Sequence, residues 1–152
     1  MAASFKNFGI CVLNSRYLFF EAVFSNNRHL ATMSQSLNKV PDVDIDGHGK
    51  FKYILIKVQD EDGDASKSIV RGYARAEYHA DIFDIANAKV TAIPGLTAKC
   101  MGGGRIEHDP DERTLKVYGY SQGYGKADHE MSVGILKKKY PNYTITWTNE
   151  GY

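Results

Sequence analysis

Cysteine is scarce in this chain, which contains two, Cys11 and Cys100, among 152 residues. They lie far apart and form no Cys-x-x-Cys pair, which disfavours a zinc knuckle or a disulfide-built secreted scaffold. A reducing compartment is therefore expected, and we predict a cytoplasmic protein. The length favours one domain rather than two, because single domains cluster at about 100 to 200 residues.

An excess of one charge is also missing, since 19 Lys and Arg residues against 18 Asp and Glu residues give a net charge of +1. Such a chain has no overall field that attracts nucleic acid or anionic lipid. No apolar run approaches the roughly 18 residues of a membrane span. We expect a soluble monomer with no nucleic-acid and no membrane partner. Ten tyrosines among scattered cations leave a single-stranded nucleic-acid binder as a minor alternative.

Residues 1–39 differ in composition from the rest of the chain. Four cations, Lys6, Arg16, Arg28 and Lys39, face the single acid Glu21 among many Ser, Asn and Phe residues. This balance is similar to that of a mitochondrial presequence. Two interpretations stay open: mitochondrial import through residues 1–32, or an extension without targeting value, disordered or upstream of a second possible start at Met33. We divide the chain into this extension and a domain at residues 40–152.

The pattern from Phe51 onward predicts an α+β fold, with a single mixed β-sheet of about six strands flanked by two α-helices. The predicted strands are Phe51–Val58, Lys67–Tyr73, Leu96–Met101, Arg105–His108, Thr114–Tyr120 and Tyr143–Trp147. The predicted helices run from Glu77 to about Lys89, and from a cap at Ser132 to the stop at Pro141. The pattern does not say whether both helices lie on one face of the sheet.

Two patterns that suggest metal sites fail when their ligands are counted. Asp42, Asp44 and Asp46 imitate the start of a calcium loop, but Tyr53 occupies the twelfth position, which must supply a bidentate carboxylate. We interpret this segment as an acidic turn before a strand. The histidines at 29, 48, 79, 108 and 129 include no i, i+4 pair, so a zinc site is unsupported. We expect no metal and no cofactor.

Two phosphate motifs are incomplete as well. Four residues separate Cys100 from Arg105, whereas the cradle of cysteine phosphatases has five and is followed by a helix. We therefore expect a buried structural thiol. Residues 119–127 are similar to a P-loop, but they have one residue too many between the glycines, and Ala127 stands where a hydroxyl should bind magnesium.

One group of residues remains as a candidate binding site. Glycines at 102–104 and at 119, 123 and 125 bracket a strand, and glycine turns of this kind can direct backbone N–H groups at an anion. The groups expected around them are Lys52, Arg71, Arg105 and the hydroxyl of Ser121. A cation on an apolar strand face usually extends to solvent, so Lys52 by itself would carry little weight. His79 begins the first predicted helix, where the helix dipole should lower the imidazole pKa and keep the ring neutral.

Five segments together resemble the small metal-independent protein histidine phosphatases, whose insect relatives are the Janus and Ocnus proteins. They are VPDVDIDGHGKFKYILIKV (Val40–Val58), IVRGYARAEYHAD (Ile69–Asp81), KCMGGGRIEH (Lys99–His108), KVYGYSQGYGKADH (Lys116–His129) and KYPNYTITWTNEGY (Lys139–Tyr152). The resemblance extends from Val40 to the C-terminus. GGGRIEH, VYGYSQGYG and EYHAD are specific as a set, although each is weak alone.

The resemblance implies a mixed sheet with two helices and removal of phosphate from phosphohistidine in proteins, with phospholysine as a further substrate. His79 in EYHAD corresponds to the catalytic histidine, acting as nucleophile or as base for a water, with Tyr78 beside it in the substrate site. Lys52 in FKY corresponds to the essential lysine, and Arg71 and Arg105 to arginines at the border. Ser121 and Gly123 in YSQGYG correspond to the loop that holds phosphate. Some relatives have alanine in place of Gly123.

A non-catalytic module of the same fold is the leading alternative. It would bind phosphorylated partners without turnover, as a regulator related to sex differentiation. The presence of His79, Lys52 and Ser121 at the matched positions favours the enzyme, whose partners would be phosphohistidine-containing proteins.

Overall fold

A computed structural model describes residues 35–61 and 65–151 of the chain. A short helical segment, α1, includes residues 35–38. The remaining elements follow in the order β1 (Val43–Ile45), β2 (Gly49–Asp60), β3 (Ser66–Gly72), α2 (His79–Thr91), β4 (Leu96–Asp109), β5 (Thr114–Tyr118), α3 (His129–Lys139) and β6 (Thr144–Trp147). No helix in the described ranges is long and apolar enough to cross a membrane.

The six strands form one mixed sheet in the order β1-β3-β2-β4-β5-β6. The four central strands are antiparallel to one another, while the edge strands β1 and β6 pair in parallel with β3 and β5. The predicted α+β class with about six strands and two flanking helices is confirmed.

The two long helices cover opposite faces of the sheet, which settles the question that the sequence left open. Ile82, Ala86 and Val90 of α2 pack on a core that contains Ile54 and Ile56 of β2. Val133 and Leu136 of α3 pack on the other core, with Tyr53 and Leu55. Alternate residues of β2 thus enter different cores, because successive side chains of a strand point to opposite faces. This accounts for a strand that is apolar on both faces.

Three local predictions were wrong. The segment interpreted as an acidic turn contains a strand, β1, which pairs with β3 from Val43 to Ile45. The two strands predicted on either side of Gly102–Gly104 are one continuous strand, β4. The cap of α3 is Asp128, whose carboxylate accepts the N–H of Met131 at 2.9 Å. Ser132 lies inside that helix, fully buried.

The glycines of β4 are explained by the close approach of a neighbouring segment. Residue 101 is extra in the register between β2 and β4, because Leu55 pairs with Gly102 and Ile56 pairs with Cys100. Gly102 has φ +134°, and a Cβ there would lie 2.6 Å from the carbonyl oxygen of Lys126. The predicted anion nest at these glycines is therefore wrong: they are strand residues against which the segment after β5 packs. The N–H of Gly103 is bonded to the carbonyl of Gly125 at 3.0 Å.

Leu37 and Val40 are buried with the α2 core at 6% and 5% exposure. Leu37 lies inside the predicted extension. The targeting prediction concerns residues 1–32, which are outside the described residues, and stays a prediction.

Candidate functional site

A cleft of about 600 Å³ opens between the start of α2, the strand pair β2 and β4, and the segment after β5. Its lining includes six of the seven site residues predicted from the sequence, namely Lys52, Tyr78, His79, Arg105, Ser121 and Gly123. The remaining lining residues are Glu77, Ala80, Gln122 and Tyr124. Segments that are far apart in the chain thus converge on one surface.

His79 is placed by the first turn of α2. Tyr78 precedes the helix in an extended conformation, and its backbone N–H is bonded to the Asp81 carboxylate at 2.8 Å. A carboxylate at the third helical position that binds back to the cap residue stabilises the helix start. The predicted start at Glu77 is two residues early. Tyr78 is 66% exposed, whereas His79 is only 9% exposed and faces the sheet.

The imidazole of His79 has a defined orientation. Its Nε2 lies 2.9 Å from the carbonyl oxygen of Gly104 in β4. A carbonyl only accepts hydrogen bonds, so Nε2 carries a proton and donates it to Gly104. In the neutral ring the other nitrogen, Nδ1, therefore has a free lone pair, which can act as a nucleophile or as a base.

Burial lowers the pKa of His79, and the positive charges of Lys52 and Arg105 lower it further. The hydrogen bond to Gly104 acts in the opposite direction but does not cancel these effects. The ring is therefore neutral at neutral pH. The direction agrees with the prediction, but its leading cause is burial rather than the helix dipole.

Lys52 and Arg105 lie directly opposite each other on β2 and β4. Opposite residues of an antiparallel pair project from the same face of the sheet at about 5 Å separation. This is the face covered by α2, because Ile54 follows Lys52 by two residues and belongs to the α2 core. Two cations thus stand beside the neutral imidazole, an arrangement suited to a dianion such as phosphate.

A tight turn forms the opposite wall of the cleft. The N–H of Ser121 is bonded to the carbonyl of Gly125 at 3.1 Å, and the N–H of Gly125 to the carbonyl of Ser121 at 2.8 Å. The N–H of Tyr124 is bonded to Oγ of Ser121 at 3.2 Å. Gln122 and Gly123 form the tip of the turn and line the cleft. Their N–H groups take no part in these bonds.

The turn is fixed to β4 at Gly103, directly beside His79. Gly103 donates its N–H to Gly125 and accepts the N–H of Ala127 at 3.1 Å. A Cβ on Gly103 would lie 2.7 Å from Cδ2 of His79 and 3.1 Å from Cβ of Ser121. A glycine at this position lets the histidine and the turn approach the same point of the sheet.

Arg71 lies outside the cleft, although the sequence grouped it with the site. Its guanidinium donates to the backbone carbonyls of Pro41 at 2.7 Å and Val70 at 2.8 Å. The side chain is 3% exposed. It ties the segment before β1 to β3 and does not line the cleft.

Cys100 matches the expectation of a structural thiol in part. The thiol is half-buried rather than fully buried, and its Sγ lies 3.8 Å from the carbonyl of Gly102. Burial raises the pKa of Cys100, which keeps the thiol protonated and unreactive.

Glu77, Ala80, Gln122 and Tyr124 were missed by the sequence reasoning. Each of them adjoins a predicted site residue in the chain, and this proximity is the only signal that could have found them. Tyr124 also contacts the ring of Phe83 in α2, with centroids 5.9 Å apart. This contact joins the turn to the helix that carries His79. Within the described ranges, no three His, Cys, Asp or Glu residues group in a way that could hold a metal ion.

Comparisons with known proteins identify the family of the chain. The model of the Janus/Ocnus family matches residues 37–144. The chain is 52% identical over 134 residues to the sex-regulated protein janus-A of Drosophila erecta, covering 88% of this chain and 98% of that protein. It is 46% identical over 121 residues to the 14 kDa phosphohistidine phosphatase of Sus scrofa, covering 76% and 95%. The chain belongs to the Janus/Ocnus family.

Proposed function

We propose that this protein is a protein histidine phosphatase that removes the phosphoryl group from phosphohistidine in proteins, and from phospholysine as a second substrate. The observation that carries the proposal is the state of His79, a neutral ring with its Nδ1 lone pair free, beside Lys52 and Arg105. The relative from Sus scrofa that is named as a phosphohistidine phosphatase adds support.

The phosphoryl group would be held from two sides. Lys52 and Arg105 supply positive charge from the sheet, while the N–H groups of Gln122 and Gly123 and the hydroxyl of Ser121 supply donors from the turn. In phosphoryl transfer the charge spreads over three equatorial oxygens, so catalysis depends on positioning and electrostatic stabilisation. Donors fixed by a rigid turn and strand need no reorganisation during the reaction.

His79 can act in either of two ways. As a nucleophile, Nδ1 forms a bond to phosphorus while the P–N bond of the substrate breaks and the substrate imidazole leaves with a proton; water then removes the phosphoryl group from His79. As a base, Nδ1 takes a proton from a water whose oxygen bonds to phosphorus while the P–N bond of the substrate breaks and the substrate imidazole, protonated on its other nitrogen, leaves. A protonated imidazole leaves readily, so a P–N bond requires less assistance than a phosphate ester.

The test is incubation of the full chain with a phosphohistidine protein in EDTA. We expect phosphate release far above the molar amount of enzyme, and loss of that release in His79→Ala. Mass spectrometry during turnover detects phosphate on His79 if the ring is the nucleophile and none if it is the base. Undiminished turnover in folded His79→Ala would refute the assignment.

Lys52→Ala should weaken phosphate binding, because it removes one of the two cations beside His79. The measurement is a titration with inorganic phosphate followed by NMR. An unaltered titration in this variant would count against the role of Lys52.

A second function, a regulatory module that binds phosphorylated proteins without turnover, is favoured by the names of other relatives. The proteins from Drosophila erecta and Drosophila orena, 52% and 55% identical, are named as sex-regulated rather than for an activity. Product that never exceeds one equivalent would support this module and reject the enzyme.

We further propose that the protein acts as a cytoplasmic monomer on phosphohistidine-containing proteins. The near-neutral charge supports a partner other than nucleic acid.

A further inference from the structure

A buried tyrosine and histidine form a pair on the sheet face opposite the cleft. The hydroxyl of Tyr53 in β2 lies 2.6 Å from Nδ1 of His129, the first residue of α3. Nε2 of His129 lies 2.9 Å from the carbonyl oxygen of Gly119. Since a carbonyl only accepts, Nε2 carries the proton, and Nδ1 of the neutral ring accepts from the tyrosine in the shorter of that hydroxyl's two contacts, the other being Oγ of Ser132 at 3.3 Å. Both side chains are almost fully buried, at 0% and 2% exposure.

The pair packs on Gly104, the residue that orients His79. A Cβ on Gly104 would lie 2.9 Å from Cε1 of Tyr53 and 3.0 Å from Cε1 of His129, so both rings pack directly on this glycine. The carbonyl of the same glycine accepts the Nε2 proton of His79. The pair on one face therefore confines the peptide group that sets the imidazole on the other face.

His129 also holds the start of the turn that carries Ser121. Gly119, whose carbonyl accepts from His129, lies two residues before Ser121 and has φ +76°. This bond holds the start of the segment that forms the wall of the cleft. The imidazole of His129 thus packs on Gly104, which orients His79, and is bonded to Gly119, which precedes the turn.

Packing alone does not require this arrangement. Two apolar rings would fill the same space without burying a hydroxyl and two imidazole nitrogens. Burying such polar groups costs free energy unless they are hydrogen-bonded. Burial also raises the pKa of Tyr53, so the phenol keeps the proton that it donates.

We propose that the Tyr53–His129 pair is a positioning device, which holds the Gly104 carbonyl and the Gly119 end of the turn in register so that Nδ1 of His79 faces the bound phosphoryl group. Neither residue touches the substrate. This inference rests on the proposed function of the cleft, which it extends.

Tyr53→Phe tests the pair because it removes one oxygen and keeps the ring. We expect kcat to fall by about tenfold or more, since misplacement of a reacting group by about 1 Å is that costly. We also expect the NMR signals of the His79 ring nitrogens to show a mixture of tautomers. Tyr73→Phe is the matched control, because its hydroxyl is bonded to Asp44 at 2.8 Å in a site that does not line the cleft. It should leave kcat and the His79 signals unchanged.

Two substitutions of His129 separate the two bonds. The amide of His129→Asn reaches the position of Nδ1 and keeps an acceptor for Tyr53, so the lost bond to Gly119 should mainly raise KM, by about two- to tenfold. The amide of His129→Gln reaches the position of Nε2 and keeps the donor to Gly119, so kcat should fall instead. These variants decide the question if Tyr53→Phe does not fold.

The wild-type chain provides an independent measurement. Inorganic phosphate added to the cleft should shift the NMR signals of the His129 ring as well as those of His79, although His129 faces the other side of the sheet. This readout does not need turnover, so it separates failure of the inference from failure of the proposed enzyme. Unchanged His129 signals at saturating phosphate, or a Tyr53→Phe variant with normal kcat and a single His79 tautomer, would overturn the proposal.

Discussion

Gly103 leaves no room for a side chain between the imidazole of His79 and the sheet, whereas Gly123 at the tip of the turn has no atom within 4 Å of a Cβ position. Gly103→Ala should therefore destabilise the protein by about 1–3 kcal/mol through overpacking and lower kcat by displacing His79. Gly123→Ala should change neither, because a Cβ there meets no atom within 4 Å and the backbone N–H is kept. Urea unfolding and phosphohistidine turnover measure both variants, and equal effects of the two would contradict this account.

Lys52 contributes to the low pKa of His79 and, in the proposed site, also to the binding of phosphate. Burial lowers the pKa of His79 below its ordinary value of 6.5, and the positive charge of Lys52 lowers it further. Activity should therefore fall as the pH drops through a midpoint below 6.5, where Nδ1 gains a proton. Lys52→Met removes a positive charge, so it should raise the His79 pKa and move the acid limb to higher pH. NMR titration of the His79 ring measures the shift directly.

Lys50→Met is the control for that experiment. Lys50 lies two residues from Lys52 on the same strand, but its ammonium is exposed and pairs with Glu107 at 3.1 Å. The His79 pKa should be unchanged in this variant. Equal shifts in both variants would show that net charge alone, and not the position of Lys52, sets the protonation of His79.

Most residues of the cleft could be predicted from the sequence, because they lie in short motifs that can be recognised before the fold is known. Lys52, His79, Arg105 and Ser121 were found in this way. Arg71 was grouped with them because it was expected beside the glycine turns and because the family resemblance implies an arginine at the border of the site. Its true partners are backbone carbonyls that depend on the pairing of β1 with β3, and no pattern in the sequence shows that pairing.

At the scale of elements, the start of α2 determines where His79 stands. Asp81→Ala removes the carboxylate that accepts the N–H of Tyr78, so it should cost about 0.5–2 kcal/mol of unfolding free energy. Activity should fall by more than this loss alone explains, since His79 is the first residue of the helix that frays. Thermal unfolding and kcat/KM report the two effects.

Asp84→Ala is the matched control for the helix start. Asp84 lies one turn later in α2, is exposed and carries the same charge. Its removal should leave both stability and activity nearly unchanged. A loss of activity equal to that of Asp81→Ala would assign the effect to charge and not to the bond at the helix start.

The errors at this scale have identifiable physical causes. Three consecutive glycines usually interrupt a strand, because glycine lacks a side chain to pack and has a large conformational freedom to lose. In β4 the cost of losing that freedom is offset by close packing on the glycines. His79 and Ser121 pack against Gly103, and Tyr53 and His129 pack against Gly104. Such contacts come from segments distant in the chain, so local patterns interpret the glycines as a loop.

At the scale of the whole molecule, the fold class follows from the order of apolar segments, but the limits of the domain do not. Composition placed residues before Val40 in an extension because cations and polar residues dominate there. Leu37, on the extension's side of that boundary, packs with the α2 core. A single apolar residue among polar neighbours carries no periodic signal, and only the folded structure shows that it is buried.

This boundary can be tested in the intact chain. Leu37→Ala should lower the free energy of unfolding by about 2–4 kcal/mol, because it removes a side chain that is 6% exposed from a packed core. Asn38→Ala, at the next position, is the control and should change stability by less than about 0.5 kcal/mol, since Asn38 is exposed. Urea denaturation with equal slopes for both variants gives the comparison. If Leu37→Ala were as neutral as Asn38→Ala, the folded domain would begin after Leu37, as the composition alone indicated.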